Sequence, residues 1–127
     1  EHAETAPQAP HAVIVPLECA LVEVARVVHL LPGSIIAAAY ASGETLESYH
    51  CRYGVSAELR AALAAGPLRV TANDELHDVR AVELDGHPFF VATLFQPERA
   101  ALQGHMPPLV AAFVRAVVQH SGNPGRY

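Results

Sequence analysis

Apolar and polar positions alternate in some stretches of the chain and recur every three or four residues in others, which predicts a mixed α/β protein. The first apolar run, "AVIVPL" at 12–17, ends at a proline. The partial alternation of "LVEVARVVHL" predicts a strand over 21–30. Four further strands are predicted from their β-branched and aromatic content, at 44–55, 68–72, 79–84 and 89–95.

Helices are predicted where a capping residue precedes an apolar spacing of three or four. Ser34 is a plausible N-cap for a short helix through Tyr40, and Ser56 caps a second helix that Gly66-Pro67 closes. The last helix, "PPLVAAFVRAVVQH", begins at a proline and covers 107–120. Residues 1–10 are predicted to form a loop and 121–127 a tail. Asp85-Gly86 predicts a tight hairpin, so the fold class is an α/β domain with an antiparallel patch.

Composition excludes several classes of partner. Half of the 127 residues are apolar, enough for a core, and the net charge is −5 with no lysine. A nucleic-acid surface, which needs clustered basic side chains, is therefore not expected. The longest apolar-rich stretch is interrupted by Glu18, Glu23 and Arg26, and no targeting segment is visible. We therefore expect a cytoplasmic protein with no membrane span.

The cysteines and histidines show no metal-binding spacing. Cys19 and Cys51 form no C-x-x-C pair, so they are either one disulfide or two free thiols, and the free thiols are favoured. Cys51 lies between His50 and Arg52, whose charge would make a thiol reactive, but strand alternation favours an inert thiol. The eight histidines include no H-x-x-x-H pair, and no glycine-rich phosphate loop is present. We expect neither a metal nor a cofactor.

Motifs near the end of the chain resemble one known family. "HPFFV" at 87–91, "FQPE" at 95–98 and "FVRA" at 113–116 resemble the end of the class I glutamine amidotransferase domain of CTP synthase. "VHLLPGS" and "ESYHCRYGVS" resemble two earlier segments of that domain, and the loop of residues 1–14 resembles a third. The resemblance implies a flavodoxin-like open sheet. It also implies that residues 1–127 are the C-terminal part of a single domain, with the nucleophile elbow expected upstream.

The resemblance also assigns roles to individual residues. In this family a cysteine attacks the side-chain amide of glutamine, a histidine activates the thiol, and a glutamate two residues later orients the histidine. Gln96 stands at the position of that histidine, and Glu98 stands at the position of the glutamate. Arg52 would hold the α-carboxylate of glutamine, with Tyr53 beside it, and Glu4 would hold the α-ammonium.

Gln96 stands where the family has a histidine, and this difference determines which functions we expect of the chain. An imidazole accepts a proton near neutral pH, whereas a primary amide does not, so we expect a degenerate domain without standard glutaminase activity that binds a glutamine-like amino acid. One alternative is an active enzyme with rearranged chemistry, in which His105 is a substitute base or Cys51 is the reactive thiol. Another is a non-catalytic interaction module that joins a synthetase partner or a second copy of itself.

Overall fold

The fold is built on one sheet of five strands in the order β2-β1-β3-β4-β5, in which every neighbouring pair is antiparallel. The computed structural model describes residues 1–121, except for the side chains of Cys19 and Leu59. The strands are β1 (Ile14–Leu30), β2 (Glu44–Val55), β3 (Leu68–Asp74), β4 (Val79–Leu84) and β5 (Val91–Thr93). The helices are α1 (Ile35–Tyr40), α2 (Arg60–Ala65), α3 (Arg99–Leu102) and α4 (Pro108–Ser121), with a 3₁₀ turn (Ala57–Leu59) before α2.

Strand β1 is longer than the sequence predicts, because it continues through Pro16 where the prediction placed an end. Its pairing with β2 is interrupted twice, between Pro16 and Leu21 and between Val22 and Val24. Proline is tolerated in a strand at such irregularities because no ladder hydrogen bond is required there. Two apolar runs that look separate in the sequence are therefore one bulged strand.

Strand β5 is shorter than predicted, and the residues after it link the two edges of the sheet. The N–H of Leu94 still bonds to the carbonyl of Arg80 on β4, at 2.9 Å. The N–H of Gln96 then bonds to the carbonyl of Ser48 on β2, at 3.3 Å. The chain thus leaves the β5 edge and reaches the free edge of β2. The short helix α3, which the sequence did not predict, follows at once.

The hydrophobic core lies on one face of the sheet, beneath α1 and the first turn of α4. Tyr49 is at its centre, with its ring edge-on to Phe95 and the two centroids 6.2 Å apart. The buried members come from six elements and from the segment after β5: Val28, Leu30, Ile36, Tyr49, Ala72, Ala81, Phe95 and Leu109.

A buried glutamate attaches α1 to the sheet. The Glu83 side chain, from β4, is 1% exposed, and its two oxygens accept hydrogen bonds from the N–H groups of Ile35 and Ile36 at 3.0 and 2.9 Å. Ser34, the predicted N-cap, accepts from the N–H of Ala37 at 3.0 Å. Helix N-termini carry unpaired donors and a partial positive charge, so a carboxylate is stabilised there even without water.

The last helix presents an apolar face that the described part of the chain covers only in part, through the packing of Phe89 on Phe113. Only Leu109 of α4 is buried, whereas four large apolar side chains are exposed at helical spacing. We call these residues, Val110, Phe113, Val114 and Val117, the α4 apolar face. Within residues 1–121, no helix combines the length and the apolar character that a membrane crossing requires.

A buried ion pair between Arg80 and Asp74 holds the turn between β3 and β4. The guanidinium of Arg80 donates to Asp74 Oδ2 at 2.6 and 2.9 Å, and its carbon lies 5.5 Å from the Tyr49 ring centroid. Asp74 Oδ1 accepts from the N–H groups of Leu76 and Asp78. Burial alone would raise the pKa of Asp74, but these hydrogen bonds and the charge of Arg80 outweigh burial and lower it.

We expect Asp74→Ala to lower the free energy of unfolding by about 3 kcal/mol, because Arg80 loses its closest anion while buried. Since the folded pKa of Asp74 is lowered, its contribution is complete above its unfolded value of about 4. The contribution is lost as the pH falls through the folded pKa. Urea titration at pH 7 and at pH 3 measures both effects. Asp85→Ala is the control, since the exposed pair Arg69–Asp85 is expected to contribute less than about 1 kcal/mol. Equal losses for the two variants would contradict the assignment.

Candidate functional site

Gln96 lies against the free edge of β2 and is bound there by two hydrogen bonds. Besides the bond from its N–H to Ser48, its side-chain Oε1 accepts from the backbone N–H of His50 at 2.7 Å. A backbone N–H can only donate, so the atom facing it must be the amide oxygen. The NH₂ end of Gln96 therefore points elsewhere, and within residues 1–121 it has no hydrogen-bond partner.

No hydrogen bond joins the side chain of Glu98 to Gln96 within residues 1–121. The two-residue spacing predicts neighbouring side chains only if the backbone is extended, and Glu98 has φ −61° and ψ −20° at the start of α3. Its side chain lines an apolar groove of about 320 Å³ between β5 and α4, together with Phe89, Pro97 and Phe113. The expected orienting acid and the residue at the base position thus face different surroundings.

An imidazole–carboxylate pair, which the sequence did not predict, lies beside Gln96. His50 Nδ1 and Glu23 Oε1 are 2.7 Å apart, and the other oxygen of Glu23 accepts from Arg99 at 2.6 Å. Glu23 has φ 52°, a left-handed backbone, at the irregularity between Val22 and Val24. The hydrogen bond from His50 and the charge of Arg99 hold the pKa of the Glu23 carboxyl below its usual range. We call Glu23, His50 and Arg99 the β-bulge cluster.

The expected ligand-binding residues lie farther along β2. Arg52 is exposed, and its guanidinium makes no ion pair within residues 1–121. Residues 50 and 52 of a strand lie on the same face, so Arg52 follows His50 there. Tyr53 is half-buried, and its ring is 5.0 Å from that of His2 in the N-terminal loop. Glu4 is exposed in this loop, where its N–H bonds to His2 Nδ1 at 3.1 Å. No contact joins Glu4 to Arg52 within the described residues.

Cys51 and His105, the residues of the rearranged-chemistry alternative, do not join this region. The Cys51 thiol lies 3.0 Å from the carbonyl oxygen of Tyr53, to which it donates a hydrogen bond, and it is a free thiol. His105 is exposed, and its backbone N–H bonds to Ala100. The disulfide alternative depends on the side chain of Cys19, which lies outside the described residues.

Concave surfaces elsewhere hold none of the expected site residues. A cavity of about 720 Å³ lies between the β1–β2 ladder and the β3–β4 turn, with Arg26, Asp74 and Arg80 among its lining residues. Among the residues that the structure describes, no three histidine, cysteine or acidic side chains converge as metal ligands.

Comparison with known proteins relates the chain to one enzyme. No protein-family model matches it. CTP synthases of Rhodococcus opacus and Saccharopolyspora erythraea are 40% and 38% identical over 94 residues, and that of Helicobacter pylori strain HPAG1 is 27% identical over 92. These matches cover 72% of this chain. The chain spans only 16–17% of the length of these curated relatives.

A solved structure gives the corresponding fold. The glutaminase domain of Trypanosoma brucei CTP synthase, with bound acivicin, superposes with a TM-score of 0.84 at 23% identity. The superposition covers 94% of this chain and 50% of that one. The sheet described above is thus the antiparallel part of a class I glutamine amidotransferase fold, as the motifs at 87–91 and 95–98 implied. The chain is therefore a relative of CTP synthase and has the fold of its glutaminase domain.

Proposed function

We propose that this chain is the C-terminal part of a glutamine-amidotransferase-like domain that binds a glutamine-like amino acid but lacks the standard histidine base. The observation that carries the proposal is the position of Gln96. Its amide oxygen is engaged by the N–H of His50 at 2.7 Å, and only its NH₂ end is left to face a ligand.

Amide chemistry explains why the standard route is absent. A primary amide has no lone pair that takes up a proton near neutral pH, so Gln96 cannot activate a thiol or return a proton to leaving ammonia. Losing a general base removes roughly 10²- to 10⁴-fold in rate. No hydrogen bond joins Glu98 to Gln96 in the described residues, so we infer that Glu98 does not act as an orienting acid either. Gln96 instead has a structural role, because it supplies an acceptor to a strand edge.

Retention of amino-acid binding is supported by Arg52. Its guanidinium is exposed on β2 and unpaired within the described chain, and a guanidinium fork matches an α-carboxylate. The related T. brucei domain was solved with acivicin bound. We assign the α-ammonium to Glu4 and a flanking contact to Tyr53. Both lie in the region where the N-terminal loop meets β2, as shown by the packing of His2 on Tyr53.

The α4 apolar face supports the proposal that more of the domain packs on this chain. Exposed apolar side chains at helical spacing are typical of a surface buried by another element. The T. brucei domain is about twice as long as the part that matches this chain. We therefore propose that the remainder of an α/β domain, the part in which the family carries its nucleophile, covers this face.

A second candidate function is a non-catalytic interaction module, and the same apolar face favours it. A synthetase partner or a second copy would then cover α4. The two candidates differ in whether Arg52 contributes to ligand binding.

We expect the full-length protein to release ammonia from glutamine below about 0.1 s⁻¹, which is some 10²-fold under the typical enzymatic value of about 10 s⁻¹. Gln96→His is expected to raise the rate at least about tenfold by restoring an imidazole. Gln103→His, at an exposed glutamine after α3, is the matched control and should leave the rate unchanged. A coupled ammonia assay measures all three proteins. Hydrolysis by the unmodified protein at ordinary enzymatic rates would overturn the proposal.

Calorimetry tests the binding site. We expect glutamine or acivicin to bind the full-length protein, and Arg52→Ala to weaken binding about tenfold, since a charged hydrogen bond contributes about 1.5–3 kcal/mol. Arg26→Ala, at an exposed arginine of β1, is the control. No heat of binding, together with a stable oligomer, would favour the interaction module instead.

The α4 apolar face gives a separate stability prediction. In the full-length protein, Val114→Asp is expected to lower the free energy of unfolding by at least about 2 kcal/mol, because an unpaired carboxylate would be buried. Gln119→Asp adds the same charge to an exposed position of the same helix and should cost far less. Thermal unfolding of both variants checks this. If they lose equal stability, the face is exposed to water in the full-length protein.

A further inference from the structure

We propose that His50, oriented by Glu23, is the proton-transfer residue of this site and carries the residual turnover of the bound amino acid. The inference rests on the proposed function, because it requires a glutamine-like amide to bind at Arg52. It places the imidazole–carboxylate pair of the site on β1 and β2 instead of at positions 96 and 98.

The bulge in β1 is what brings the carboxylate to the imidazole. Val22 is paired with His50 across the ladder, so these two side chains share a face and a regular Glu23 would lie on the other one. Val24 is already paired with Tyr49, which leaves Glu23 as the extra residue. A bulge re-aims a side chain, and here it turns Glu23 onto His50. A left-handed backbone at a non-glycine residue is strained and persists only where the surroundings enforce it.

The pairing fixes which ring nitrogen is available. The carboxyl of Glu23 is ionised near neutral pH and can only accept, so Nδ1 of His50 must carry the hydrogen of their 2.7 Å bond. In the neutral ring, Nε2 then has the free lone pair. Nε2 makes no hydrogen bond within residues 1–121, and the side chain is 59% exposed. This is the arrangement that a carboxylate–histidine pair uses to present a base.

Two further contacts hold the pair in place. Arg99, from α3, binds the second oxygen of Glu23 at 2.6 Å and prevents it from rotating away. The Oε1 atom of Gln96 accepts a hydrogen bond from the backbone N–H of His50 at 2.7 Å. The side chain of His50 therefore starts next to position 96, at which the family has its own base. Of the charged groups near the pair, Glu23 from β1 contacts the imidazole directly, and Arg99 from α3 contacts Glu23. Arg52 lies two residues along β2, on the face that His50 occupies.

The step that His50 would perform is proton transfer to and from a cysteine thiol, the class of nucleophile that the family uses. Nε2 takes the thiol proton as the S–C bond forms at the carboxamide carbon of the ligand. The imidazolium returns that proton to nitrogen as the C–N bond breaks and ammonia leaves. Water then cleaves the thioester, which gives a carboxylate and restores the thiol.

The test measures slow ammonia release by the full-length protein at saturating glutamine. His50→Gln is expected to lower kcat about 100-fold while the calorimetric Kd of glutamine stays within about twofold. Glu23→Gln is expected to lower kcat at least about tenfold, because an amide can donate to Nδ1 and select the wrong tautomer. Nitrogen-15 NMR of the histidine rings should show His50 protonated at Nδ1, and this signature should be lost in Glu23→Gln.

His29→Gln is the matched control, since His29 also lies on the β1–β2 ladder opposite an exposed glutamate, Glu44, at 3.8 Å. It should change kcat less than twofold. The inference is overturned if His50→Gln turns over like the unmodified protein, or if kcat and Kd change together as for a merely structural residue. Binding of glutamine with no release above the buffer rate also overturns it, while leaving the proposed function intact. Absence of binding would overturn the proposed function, and this inference with it.

Discussion

The hydrogen bond from the N–H of His50 to the amide oxygen of Gln96 connects the two edges of the sheet, and much of the structure depends on it. Because the segment after β5 is held at β2, Phe95 reaches the core against Tyr49. The same bond brings the start of α3 to β1, where Arg99 meets Glu23. It also fixes the amide of Gln96 with its donor end outward. One interaction thus completes the core and determines what chemistry position 96 can perform.

The buried carboxylates of Glu83 and Asp74 are tolerated in this small domain because donors that the fold has already fixed are directed at them. Glu83 receives two N–H donors from the first turn of α1, and Asp74 receives the Arg80 guanidinium and two backbone donors. Removing one member of such a pair leaves the other desolvated, which costs more than the pair contributes. These pairs also orient α1 and the β3–β4 turn, since hydrogen bonds have a direction that apolar contacts lack.

Local sequence patterns predicted several helices and strands correctly. The predictions were wrong where tertiary contacts override the local pattern. The spacing of Leu109, Phe113 and Val117 predicted both ends of α4 to within one residue. Ser34 caps α1 as expected. Pro16 suggested a break that the bulged β1 does not have. The extended backbone expected at 96–98 is not found, because Glu98 begins a helix, so the pairing of Gln96 with Glu98 stays a prediction. The Glu23–His50 contact could not be predicted, because the bulge that creates it depends on the register of two strands.

His50 is the residue through which the two unusual features of the site act together. Its backbone N–H holds Gln96, and its ring nitrogen holds Glu23, so a shift of β2 would disturb both contacts. Arg99 lies three residues after Gln96 and binds the second carboxylate oxygen of Glu23. The hydrogen bonds therefore run from Gln96 to His50, from His50 to Glu23 and from Glu23 to Arg99, which lies on the same segment as Gln96. An amide at position 96 is compatible with this network because it accepts a hydrogen bond without adding charge. An imidazolium there would add positive charge next to the guanidinium of Arg99. The amide at position 96 and the imidazole at position 50 are therefore physically consistent parts of one arrangement.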